Sequence, residues 1–150
     1  MRALTPLEAR VLGVLVEKQH TVPDTYPLSL NSLVAGVNQK TAREPVINAS
    51  DAEVLTAVDG LKELSLVFEG SGSRVVRFEH NMARVFSLPA ASVALLTLLM
   101  LRGPQTSAEL RMNADRLHRF EDIAAVEACL QGMADKEPAR VLKLARAAGE

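Results

Sequence analysis

Apolar residues recur at helical spacing through most of the chain, and the breaks between these runs divide it into two similar halves. Thr5, Pro6 and Glu8 form an N-cap, a first-turn proline and a capping-box glutamate, so a helix is predicted from about residue 6. Leu7, Val11, Leu12 and Leu15 give it one apolar face, and Lys18 and His20 suit its C-terminal end. Pro23 and Pro27 impose an extended connection, and a second helix is predicted over residues 28–37, with Leu30, Leu33, Val34 and Val37 inward. The polar run of residues 38–45 ends in a proline that no regular helix continues through. Ser50 with Glu53 caps a third helix, striped by Val54, Ala57, Val58, Leu61 and Leu64. The period then shifts. Residues 66–69 and 74–79 are strand-like about the turn Gly70-Ser71-Gly72-Ser73, which predicts a β-hairpin.

The second half repeats the order. Residues 89–101 predict a helix closed by Arg102-Gly103-Pro104. Thr106 and Glu109 cap the next, residues 121–135 predict a third, and residues 141–144 are strand-like. Val54, Ala57, Leu61 and Leu64 map onto Ile123, Val126, Leu130 and Met133 with one offset, and Val11, Leu12 and Leu15 map onto Leu95, Leu96 and Leu99 with another. Three helices followed by a hairpin is the order of a winged helix. The expected fold is therefore mainly α with small β-hairpin wings, an α+β chain of tandem winged-helix modules over residues 1–86 and 87–150. The second wing is expected to lack its returning strand, leaving an open edge at residues 141–144.

Composition sharpens this picture. The 150 residues are 48% hydrophobic but only 3% aromatic, so the core must be aliphatic. The apolar stretch of residues 88–101 is broken by Pro89, Ser92 and Thr97 and is shorter than the roughly 20 residues of a membrane span. The opening residues do not resemble a signal peptide. A lone cysteine, Cys129, permits no internal disulfide, and the expected location is the cytoplasm with no membrane partner. His20, His80 and His118 stand at no metal-ligand spacing, no phosphate-binding or nucleophile-elbow motif occurs, and Cys129 falls on an apolar helix side. The expectation is no enzyme, no cofactor and no metal.

The net charge of -1 is not that of a dedicated nucleic-acid binder, so any basic surface must be local. The third helix of a winged helix usually enters the major groove by its N-terminal end. Here those ends carry Asp51 and Glu53, and Glu121 and Asp122, which would repel phosphate. The candidate nucleic-acid-binding residues lie elsewhere. Asn38, Gln39, Lys40 and Arg43 fall in the long polar loop, and Arg74 and Arg77 accompany the first hairpin. Each has an equally plain structural reading, as loop hydrogen-bonding groups or solvated surface.

Several stretches resemble the bacterial YceH family, whose members have no settled function. They are Leu4 through Gly13, Tyr26 through Asn31, Asn38-Gln39-Lys40-Thr41-Ala42-Arg43-Glu44-Pro45-Val46, Leu101 through Thr106 and Arg116 through Asp122. The resemblance implies a tandem winged-helix architecture and neither an activity nor a cofactor. Val37 stands where that family often has a cysteine, so a redox or metal role at that position does not carry over. Two functional expectations follow. The first is a non-enzymatic, DNA-associated or transcription-regulatory protein that binds duplex DNA weakly through the loop and first wing as a homodimer. The alternative is a module that binds a protein partner through its winged-helix surfaces or the open strand edge.

Overall fold

In a computed structural model the described residues are 2–70 and 74–136. They form α1 (Pro6–Thr21), β1 (Leu28–Ser29), α2 (Leu30–Val37), α3 (Asp51–Glu63), β2 (Val67–Gly70), β3 (Arg77–His80), α4 (Met82–Phe86), α5 (Ala90–Arg102), α6 (Ser107–Asn113) and α7 (Ile123–Ala134). The protein is thus α+β, mainly helical with one three-stranded antiparallel sheet of order β1-β3-β2. The strand-like residues 141–144 lie outside the described residues, as does the turn at 71–73.

Local chemistry sets most of the boundaries. Thr5, Ser50 and Thr106 each accept a backbone N–H three residues on, and Glu8, Glu53 and Glu109 return the bond, so three capping boxes start α1, α3 and α6. α2 begins two residues later than its apolar pattern predicts. Ser29 caps it, accepting from the Ser32 N–H at 3.2 Å. Leu28 and Ser29 instead pair with Phe78 and Arg77, adding a third strand to the hairpin. α7 likewise starts after the predicted acids: Asp122 is its cap, accepting from the Ala125 N–H at 2.8 Å, and Glu121 precedes it. The short α4 is not foreshadowed by any apolar period.

α1 differs most from its predicted form. Instead of one apolar face, the unbroken run Val11 to Val16 is buried, as are Glu8 and Arg10. A helix apolar all round is an interior helix. α1 is surrounded by α2, α3, β3 and α5. Gly13 permits the closest approach, because a Cβ there would lie 2.9 Å from Leu101 Cδ2 on α5. Residues on both sides of position 86 therefore share one apolar cluster, running from Val11, Leu15, Val58 and Phe78 to Leu95, Leu101, Val126 and Met133.

Candidate nucleic-acid interface

The loop between α2 and α3 is fixed from beneath by side chains of α1. Arg10, Val14 and Glu17 follow at spacings of four and three and so share a face. Ala42 adopts left-handed backbone at φ 58°, a conformation costing a non-glycine residue about 1–2 kcal/mol. The turn aims Arg43 inward. The Arg43 guanidinium is 0% exposed and grips Glu17 with both terminal nitrogens, at 2.9 and 2.7 Å. Its Nε donates to the Gly36 carbonyl at 3.0 Å. Burial would raise the Glu17 pKa, but the hydrogen bonds and charges of Arg43 and Lys18 together outweigh it and hold the carboxyl below its usual value. Beside this pair, Arg10 donates to the Val37 and Pro45 carbonyls at 3.0 and 2.6 Å. Farther along the loop, the Glu44 N–H donates to the Leu101 carbonyl of α5 at 2.9 Å.

The six sequence-predicted residues therefore separate. Asn38 is occupied at both ends: its amide donates to the Ala49 carbonyl at 3.0 Å and its oxygen accepts the Ala49 N–H at 2.8 Å. Gln39 accepts from Lys18 Nζ at 3.0 Å and donates to the Thr41 carbonyl at 2.9 Å. Arg43, expected at a phosphate, is instead an interior ion-pair partner. Its burial follows from the positive φ at Ala42 and from Glu17 opposite, neither legible in the loop's own composition. Arg77 is half-buried, and its Nη1 donates to the Pro27 carbonyl at 3.0 Å, across the β1–β3 edge. Lys40 and Arg74 are exposed. Asn38, Gln39, Lys40 and Arg43 share the loop between α2 and α3, whereas Arg77 opens β3 and Arg74 lies outside the strands.

A second cluster joins the hairpin to α1. The His80 N–H donates to the Tyr26 hydroxyl at 2.8 Å. The imidazole Nδ1 accepts the Met82 N–H at 3.2 Å, which leaves Nε2 as the donor to Gln19 Oε1 at 2.7 Å. Burial, helped by the charge of His20, pushes the His80 pKa down to about 4. Burial pushes the Tyr26 hydroxyl up to about 12. His80 is thus a neutral fastener at the base of the hairpin.

The face that α3 presents to solvent is acidic. Asp51, Glu53, Asp59 and Glu63 are exposed against the single ammonium of Lys62, which is itself drawn to Glu69 at 3.2 Å. Ala52, Leu55 and Thr56 complete that face. The Glu53 carboxylate is occupied by the Ser50 N–H and is held below its ordinary pKa by it.

Sequence reasoning did not single out Arg10, Glu17, Gln19 or Tyr26 as organisers of the loop and hairpin. A signal existed for two of them: ionisable residues seven apart, Arg10 and Glu17, on a helix otherwise lined by valine and leucine. Among the described residues no group of three His, Cys, Asp or Glu side chains is placed to hold a metal, and no helix is long and apolar enough to cross a membrane. Cys129 meets Ser92 Oγ at 3.4 Å.

The chain is similar to named bacterial proteins along its whole length. It is 70% identical over 150 residues to a UPF0502 protein of Burkholderia thailandensis, covering 100% of this chain and 64% of that one. It is 71% identical over 150 residues to a UPF0502 protein of Paraburkholderia phytofirmans, again covering 100% and 64%. With a UPF0502 protein of Cupriavidus taiwanensis the identity is 68% over 149 residues, covering 99% of this chain and 61% of the relative. The chain thus spans less than two thirds of the length of these relatives. The family described as "Protein of unknown function, DUF480" matches residues 4–150, and the chain belongs to this DUF480/UPF0502 family of uncharacterised bacterial proteins.

Proposed function

We propose that this chain is a non-enzymatic pair of winged-helix modules that share one core and act by docking a protein partner rather than by reading DNA. The order α1, β1, α2, α3, β2, β3 supports the first module, with the β1 pairing that adds a third strand to its hairpin. The succession α5, α6, α7, with a capping box on α6 as on α3, supports the second. The observation that carries the functional reading is the acidic exposed face of α3. A helix presenting Asp51, Glu53, Asp59 and Glu63 to solvent would bring four carboxylates against the phosphates lining a major groove. The loss of Arg43 to the interior removes one of the cations expected to offset them. The first module also exposes Val46, Leu55 and Phe68, side chains more useful to a protein interface than to a phosphate backbone.

Duplex DNA is the second reading, and the exposure of Lys40 and Arg74 favours it. Fluorescence anisotropy with mixed-sequence duplex DNA over a salt series separates the two. The docking reading expects no steep dependence on salt, and no change on Lys40→Ala or Arg74→Ala. Binding that weakens steeply with salt, with a shallower slope in either variant, would replace it with the DNA reading.

A further inference from the structure

On the second half an open groove of about 950 Å³ lies between α6 and the start of α7. It is lined by the most exposed large apolar side chain of the described residues, Met112 at 72%, with Ile123 at 41% and the buried Phe120. Its charged lining residues are of both signs in equal number: Arg111 and Arg119 against Asp115 and Glu121. Arg111 is committed locally, its guanidinium donating to the Phe120 and Glu121 carbonyls at 3.3 and 2.8 Å, so it braces the groove's far wall. Arg119 and Asp115 are not. They meet at 3.3 Å while 83% and 62% exposed, a solvated i, i+4 pair of the kind that contributes little to stability and is readily exchanged for other partners.

We infer that this groove is a self-association surface, whose occupant is the same groove of a second copy of this chain. A two-fold interface sets one patch against itself, so a patch that exposes apolar side chains beside charges of both signs in equal number can supply its own complement. A one-signed lining would repel its copy; this one offers Arg119 of each copy an acid of the other. A DNA backbone, in contrast, would gain nothing from Asp115 and Glu121. This assignment does not rest on the docking reading above, whose exposed surfaces belong to the first half.

The test uses two charge variants of the full chain and sedimentation velocity over a concentration series. Arg119→Glu makes the charged lining acidic, three carboxylates to the one guanidinium of Arg111, and Asp115→Arg combined with Glu121→Arg makes it basic. The wild-type chain is expected to sediment as a dimer, each variant alone as a monomer, and an equimolar mixture of the two as a heterodimer. Met112→Glu, at a solvent-facing position of α6, is expected to give a monomer with an unchanged circular dichroism spectrum. The assignment is overturned if the wild type remains monomeric across the series, if the variants dimerise as the wild type does, or if the mixture fails to reassociate.

Discussion

Arg43 and Glu17 illustrate how a residue that looks like surface in a sequence becomes interior in a fold. Taking two charges out of water is costly. The pair persists because its geometry is bidentate and Arg43 Nε is satisfied by a carbonyl. Removing one partner leaves the other buried and uncompensated. Arg43→Ala and Glu17→Gln are therefore each expected to destabilise the protein by about 3–5 kcal/mol in urea unfolding. Lys40→Ala, three residues away and exposed, should change stability by less than about 0.5 kcal/mol. His80 makes a second prediction. Its folded pKa of about 4 lies below the unfolded value of about 6.5. Between these limits the unfolded chain binds the extra proton, so the contribution of neutral His80 is complete above pH 6.5 and is lost as pH falls through 4. In His80→Gln, which cannot titrate, the loss of stability on acidification from pH 6.5 to 4 should be smaller than in the wild type. An unchanged pH profile would mean that other groups govern this range.

Elements begin where the side chains at their ends dictate. Thr5, Ser50 and Thr106 each satisfy a backbone N–H that their helix leaves without an internal partner, and the glutamate three residues on satisfies the cap's own N–H. Replacing any of the three by alanine is expected to cost about 1 kcal/mol, readable as a shift in the urea midpoint at constant slope. Thr5→Ala should be the most damaging. Its partner Glu8 is also clamped by Arg2, at 2.7 Å from each carboxylate oxygen, and is 4% exposed. Arg2 and the Thr5 bonds hold the Glu8 carboxyl down to about 2. Ser50 and Thr106 cap exposed turns, where water can replace the lost bond. The hairpin shows the same logic in a sheet. Register is set by Phe78 facing Leu28 on one side and Glu69 on the other, which turns Phe78 into the core and leaves Phe68 and Glu79 outward.

At the scale of the whole molecule the central fact is that α1 has no solvent face along Val11 to Val16. Most of its cover comes from the sheet and the helices of its own half, and α5 is its largest single neighbour. The Glu44 N–H to Leu101 carbonyl bond fastens the loop to that same helix. Two halves packed on one core in this way cannot lose one without exposing the other. Unfolding should therefore be a single transition, with slow amide exchange in α3 and in α5 rising together as urea is added. Leu95→Ala on α5 is expected to cost about 2–5 kcal/mol and to accelerate exchange in α3 as well as in α5. Exchange that rises in α5 alone would show that the halves open independently.

Helix spacing, caps and the change of period at the hairpin are local properties, and the sequence by itself determined them. Thr5, Ser50 and Thr106 announce α1, α3 and α6, and the change of period after Leu64 announces the hairpin, because each depends on residues three or four apart. β1 was not legible, since two residues carry no period and Leu28 becomes a strand only by meeting Phe78, fifty positions on. Nor was the fate of the polar loop. Asn38, Gln39 and Arg43 have the chemistry to bind a base or a phosphate, and composition cannot tell whether a hydrogen-bonding group faces water or a neighbour. Tertiary structure decided it by placing Ala49, Lys18 and Glu17 against them, leaving Lys40 and Arg74 outside. The physical reason is the same throughout: short-range order follows from backbone and side-chain chemistry along the chain, whereas exposure depends on what distant segments bring to the same place.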